Sequence, residues 1–362
     1  MPTLLLIGLP NLLTIGQLAI FLLILGALII FHEFGHFVLA KRAGVRVTDF
    51  AIGFGPSIVA FKRGDTTYRL NLLPLGGYCK MVGEDEKDDG SADPGNFQHK
   101  PLWSRFLIIA AGPVFNFLLG AIIFATIATS YGIPIAATNV VDIVQPGKPA
   151  DRAGIVPGDQ ILAIDGQAFR SAEEMVTYIH GHADQTIAVD VQHDGTIRHL
   201  NIKTVSQTLF GRTFGAIGFI PRQRFERVGI LRGVTWGFQT VGLTIYTQFA
   251  GLTQALWQRD ASAVSGPVGI ARNVIAAEQR GAESVLELAG LLSVVLGLFN
   301  LLPIPALDGG RLAFLVVEGI RGRPVDPEKE GLVHLTGFAL LMVLFIFITY
   351  HDIAQWVSGR GL

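Results

Sequence analysis

His32-Glu33-Phe34-Gly35-His36 sets two imidazoles four positions apart with a carboxylate between them. On a helix, residues i and i+4 share a face, so both rings can reach one ion. Glu33 is offset from that face. It can take a proton from a water polarised by the ion instead of binding the ion itself. The pattern points to metal-assisted hydrolysis, with His32 and His36 as ligands and Glu33 as general base. Its setting sharpens the reading. Residues 15–40 contain no Lys or Arg, and Glu33 is their only acid. Ionisable groups inside an apolar span are costly and mark function. The bland alternative is a polar patch near a helix end. His36 precedes Lys41 by five residues, a depth of roughly 7–8 Å at about 1.5 Å per residue.

A catalytic zinc takes three protein ligands. The best third candidate is Asp308, in the run Asn300-Leu-Leu-Pro303-Ile-Pro305-Ala-Leu-Asp308-Gly-Gly310. Two prolines break the apolar segment ahead of it. Broken backbone at membrane depth is tolerated where it is buried in protein or lines a water-filled cavity. Asp308 lies three residues before Arg311, at the basic end of its segment, as the histidine pair does in its own. The alternative is a turn residue ahead of a Gly-Gly pair. His99, His180, His182, His193, His199, His334 and His351 lack ligand spacing to a second strong ligand, apart from the i,i+2 pair His180 and His182 in a loop, and all read as non-catalytic. Cys79 is the sole cysteine, which leaves no internal disulfide and reads as a bystander.

The elements that must position these groups are membrane spans. Four apolar runs, 15–40, 106–131, 285–302 and 332–350, approach or exceed the roughly 20 residues that cross a bilayer core. Lys41, Arg42, Arg46, Lys62, Arg63 and Arg69 follow the first run, and Arg311, Arg321, Arg323 and Lys329 fall in a short loop between the third and fourth. This bias puts both basic loops in the cytoplasm, near the active site, and both termini on the opposite side. Residues 234–257 are apolar but interleaved with Thr and Gln, as in a helix lying in the outer interface. A single crossing there would carry Asp308 to the face opposite the histidines. Of the 362 residues, 50% are hydrophobic and 16% charged, with a net charge of −1. That excludes a disordered chain and offers no electrostatic case for binding nucleic acid.

The chain divides by composition into a first membrane half (1–131), a globular insert (132–222), an interfacial region (223–284) and a second membrane half (285–362). The insert has strand-like runs at 140–144 and 160–164. Ser171 with Glu174 makes a capping box for a helix to Ile179, and a hairpin over 186–204 turns at Asp194-Gly195. Gln145-Pro-Gly-Lys-Pro-Ala-Asp-Arg-Ala-Gly154, with Gly158-Asp159-Gln160-Ile161, resembles a bacterial PDZ domain, a module that binds peptide C-termini by strand addition. The alternative is a small α+β domain that binds nothing. In the loop 50–80, runs 57–61 and 67–73 read as a hairpin against the membrane. A free edge near Leu70 and Leu72 could hold an extended peptide. The fold class is a polytopic α-helical membrane protein with four transmembrane helices, a membrane-associated β-hairpin loop and one inserted α+β PDZ domain.

With these pieces in order, the sequence resembles the site-2 protease family of intramembrane zinc metalloproteases, most closely its bacterial sigma-E protease members. The resemblance rests on His32-Glu33-x-x-His36, Gly53-Phe-Gly-Pro56, Pro74-Leu-Gly-Gly77-Tyr78, Gly112-Pro113-x-x-Asn116, the PDZ segment and the Asn300 to Gly310 run. It implies Zn2+ on His32, His36 and Asp308, Glu33 as base, and Asn300, with Pro303 in its loop, at the substrate or oxyanion. It further implies that loop 50–80 re-enters the membrane and presents a strand to substrate. The implied substrates are single-span membrane proteins, such as an anti-sigma factor already cut by a first protease, and remnant signal peptides. The implied place is the bacterial inner membrane, with the PDZ domain periplasmic. A tandem PDZ pair occurs in the family, and this chain has room for one. Gly112, Pro113 and Asn116 are expected to serve helix packing more than the site. A silent PDZ scaffold and a metal transporter are the competing readings. The intact motif argues against the first, and the scarcity of acids in the other spans against the second.

Overall fold

The computed structural model describes residues 15–84, 93–209, 212–258 and 266–357. In chain order, α1 (Ile15–Arg42), β1 (Val47–Arg63), β2 (Thr66–Met81) and α2 (Leu102–Ser130) come first. Then follow β3 (Ile133–Val144), α3 (Pro149–Arg152), β4 (Gln160–Ile164), α4 (Ala172–Gly181), β5 (Thr186–His193) and β6 (Thr196–Lys203). A short pair, β7 (Val205–Leu209) and β8 (Arg212–Ala216), precedes β9 (Phe219–Glu226). The chain continues with α5 (Ile230–Gln258), α6 (Pro267–Arg280), α7 (Ala282–Leu301), α8 (Asp308–Arg321) and α9 (Pro327–Val357). It forms two compact units: residues 1–126 with 234–362, and residues 127–233.

In the first unit, the segments Ala19–Arg42, Leu102–Ser130, Ala282–Leu301 and Glu328–Ala354 are helices long and apolar enough to cross a membrane. Helix α5 is not among them. Its Thr hydroxyls bond back to carbonyls of their own helix, as Thr240 does to Trp236. The chain between the third and fourth spans is not the short loop expected from sequence. It holds α8, amphipathic, with Leu312 and Leu315 buried.

β1 and β2 are longer than the hairpin runs read from sequence, and each strand folds back on itself. Residues 47–52 pair with 77–81 on one side and with 67–70 on the other, while residues 57–63 pair with 66–71. The bends fall at glycines with positive φ, Gly53 (78°) and Gly76 (97°), a region that side chains avoid. Leu70 pairs with both Ile52 and Val59. Its strand is therefore interior at Leu70, where pairing occupies the expected docking edge. The Leu70 and Leu72 side chains are both exposed, while the backbone of Leu70 is paired on both sides. Residues 77–81 pair with residues 47–52 of β1.

The second unit is a five-stranded sheet of order β6-β5-β4-β3-β9 covered by α3 and α4. Ile187, Val189 and Val191 alternate inward along β5 and meet Ile161, Ile164 and Met175 in the core. Ser171 caps α4 by accepting from the Glu174 N–H, while the Glu174 carboxylate accepts from the Arg170 N–H instead of completing the reciprocal box. Asp159, fully buried, is satisfied by His193 at 2.6 Å and Arg198 at 2.8 Å. The β7–β8 hairpin and β9 had no counterpart in the sequence reading. Their runs are short and mostly exposed, so no burial alternation announces them.

Candidate metal centre

The structure brings His32, His36 and Asp308 together. His32 Nε2 and His36 Nε2 are 3.2 Å apart, and Asp308 Oδ2 lies 3.0 and 3.4 Å from them. The three ligand atoms share one small volume, from two helices 272 positions apart in sequence. Asp308 opens α8 immediately after the broken segment that follows α7. Both histidines are buried, on the face of α1 turned toward α2.

The hydrogen-bond pattern shows what these atoms can hold. His36 Nδ1 donates to the Ile108 carbonyl at 2.9 Å. A carbonyl only accepts, so Nδ1 carries the hydrogen and Nε2 presents its lone pair. Asp308 Oδ2 is buried and accepts no hydrogen bond. The His36 Nε2 lone pair and the Asp308 carboxylate, 3.4 Å apart, repel unless a cation sits between them. Nitrogen and oxygen ligands roughly 2.0–2.1 Å from a tetrahedral ion are themselves about 3.3 Å apart. The donor set, spacing and tautomer fit a zinc ion with a fourth position open.

Helix α2 supports this arrangement from behind. A Cβ on Gly35 would meet the Ala111 carbonyl carbon at 2.8 Å, so the glycine of the motif lets α2 come close. On the other side, a Cβ on Gly112 would fall on His36 Nε2 and come within 2.8 Å of the His32 ring. Asn116, one turn on and fully buried, places its side-chain amide 3.1 Å from His32 Nδ1. Its backbone carbonyl accepts from Ser293 of α7 at 2.8 Å. Gly112 and Asn116 thus pack helices and also touch the site, where the sequence reading favoured packing. The signal was present: their i, i+4 spacing puts both on one face.

Glu33 stands beside the three ligand atoms without joining them. Its Cγ is 3.4 Å from where a Cβ on Gly77 would be, so it faces the 77–81 strand edge. Asn300 is half-buried at the end of α7, and its Nδ2 donates back to the Leu296 carbonyl at 3.0 Å. Pro303 is exposed in the turn beyond. Neither belongs to the three-residue cluster. Among the other histidines, His193 and His199 pair with Asp159 and Asp190, and His182 bonds the Tyr178 carbonyl. Burial pushes the Cys79 thiol up, so it stays protonated.

Peptidase family M50 matches residues 20–344 of this sequence. The chain belongs to this family. Among its relatives, zinc metalloprotease RasP of Geobacillus kaustophilus is 32% identical across 95% of this chain and 99% of its own length. The regulator of sigma-W protease RasP of Bacillus subtilis is 32% identical across 92% and 97%. Among solved structures, the PDZ domain of the SdrC-like protein from Listeria monocytogenes is 27% identical over 25% of this chain and 90% of that one, with a TM-score of 0.21. As an M50 member the chain is a peptidase, and the lone-pair cluster on α1 and α8 is its candidate centre.

Proposed function

We propose that this M50 peptidase is an intramembrane zinc endopeptidase that cuts single-span membrane proteins within the bilayer. The observation that carries the reading is the convergence of His32 Nε2, His36 Nε2 and Asp308 Oδ2 within 3.4 Å, with Glu33 alongside. These three side chains would hold the zinc, which when bound supplies a polarised water and an electrophile for the scissile carbonyl. Glu33 takes the proton of the attacking water and passes it to the leaving amine. A helical substrate hides its amides in its own hydrogen bonds, so the segment to be cut must first unwind. The 77–81 edge beside Glu33 offers it replacement backbone partners. Asn300 serves the oxyanion once its amide turns away from Leu296.

The basic loops support a reading in which Glu33 and Asp308 lie near the cytoplasmic face of the bacterial inner membrane, with both termini and the 127–233 unit periplasmic. That unit is read as a single PDZ domain, which binds a peptide C-terminus exposed by a first cleavage. The sigma-W regulator among its relatives supports an anti-sigma factor as the substrate class, with remnant signal peptides a second. Glu33→Gln is the test. The variant should keep zinc at parent stoichiometry and lose cleavage of a single-span substrate in detergent by at least about 10³-fold. Turnover near the parent rate would overturn the assignment.

A further inference from the structure

Asp308 is aimed by the five residues before it, and their conformation is unusual. Ala306 has φ +76°, a left-handed backbone that a residue with a Cβ rarely adopts. The turn around it is tight: the Ile304 N–H donates to the Leu302 carbonyl at 2.6 Å, and the Leu307 N–H to the Ile304 carbonyl at 3.2 Å. The Ala306 N–H donates instead to a side chain of the fourth span, His334 Nδ1, at 2.9 Å. Strained backbone of this kind persists only where its surroundings hold it.

The ring of His334 is itself held. The Ala306 N–H can only donate, so Nδ1 is the acceptor and the ring hydrogen sits on Nε2, 3.8 Å from the Glu330 carboxylate one turn earlier. Phe314 of α8 packs against the ring at 5.6 Å. One turn beyond, Gly337 lets the helix touch the same loop. A Cβ there would meet the Pro305 carbonyl oxygen at 2.8 Å. Thus α9 grips residues 305 and 306 at two points, and Asp308 follows two residues later.

We propose that His334 is a positioning residue. By accepting the Ala306 N–H it locks the left-handed turn that presents Asp308 to His32 and His36. The inference rests on Asp308 being a metal ligand, so its test must separate the two ideas. The measurement is the zinc dissociation constant of the full-length protein in detergent, by chelator competition. Asp308→Ala serves as reference and should raise it by 100-fold or more. His334→Phe keeps the ring but removes the acceptor, and should raise it at least 10-fold. His334→Asn restores an acceptor near Nδ1 and should stay within about threefold of the parent. Ala306→Gly, which adopts positive φ freely, should recover most of the loss when added to His334→Phe.

Parent-like affinity in His334→Phe, with Asp308→Ala impaired, would overturn the latch and leave the ligand assignment standing. A loss that Ala306→Gly does not recover would overturn it too, since it would reflect general loosening of α9. Parent-like affinity in Asp308→Ala would overturn the ligand assignment and the latch with it. Should His334→Phe fail to fold, Ala306→Val tests the same turn with the fourth helix intact. Weakened zinc binding there supports the latch, and unchanged binding overturns it.

Discussion

Gly112 and Asn116 sit one turn apart on α2 and do different things for the two imidazoles. Gly112 makes room, because any side chain would occupy the space of His36 Nε2. Gly112→Ala should therefore strip bound zinc while leaving helix content unchanged, read by metal analysis and circular dichroism together. Asn116 orients. In the structure its Nδ2 lies 3.1 Å from His32 Nδ1 while Oδ1 is a buried acceptor with no partner; turning the amide over lets Oδ1 accept the Nδ1 N–H and leaves Nε2 free for metal. Loss of such a supporting hydrogen bond costs about 10–100-fold in metal affinity. Asn116→Leu should show that loss by chelator competition, and Asn116→Asp should retain more affinity because it still accepts. Equal zinc affinity in Asn116→Leu and the parent would remove Asn116 from the site.

Among the elements, the folded-back hairpin decides where an extended peptide can add. Residues 67–70 are paired on both sides, so a peptide cannot dock at Leu70 without breaking the sheet. Residues 77–81 pair with 47–52 of β1, and Gly77 lies against Glu33. A photo-crosslinking residue at Tyr78 in the Glu33→Gln background should capture a single-span substrate. The same residue at Leu70 should capture it several-fold less. Equal yields at the two positions would argue against strand addition at 77–81. The alternation of apolar and polar residues did not reveal this register. The loop's exposed face carries Phe54, Ile58, Val59 and Phe61, so apolar side chains lie on both surfaces and the period-2 contrast vanishes.

For the whole molecule, the meeting of α1 and α8 constrains topology. Asp308 can reach the histidines only if the chain from the end of α2 to the start of α7 crosses the membrane an even number of times. Helix α5 approaches α2 at small residues. A Cβ on Gly237 would come within 3.1 Å of the Ala125 nitrogen, and Trp236 packs edge-on to Phe124. Gly266, the N-cap of α6, lies against Ile348 and Asp352 near the end of α9. The expectation is that single cysteines at Arg232 and Arg280, in a Cys79→Ser background, react with an impermeant thiol reagent from the periplasmic side. A cysteine at Arg323 should be protected until cells are opened. Opposite labelling of Arg232 and Arg280 would be incompatible with this topology.

Local chemistry was written in the sequence wherever one segment carries its own signal. The H-E-x-x-H pair needs only a helix to put both rings on one face, and the four apolar runs need only length. The strand Gln160–Ile164 and the Ser171 cap were legible because a short apolar run closed by Asp165-Gly166 and a capping side chain act within a few residues. The broken run before Asp308 announced itself through its prolines. Tertiary structure decided everything that depends on approach between segments. It set the 3.0–3.4 Å spacing of the three ligand atoms, the nearness of Gly112 to both rings, the paired interior position of Leu70, and the grip of His334 on Ala306. Each is a contact between residues far apart in the chain. Helical and strand periods report which way a side chain faces, and they carry no information about what another segment brings to meet it.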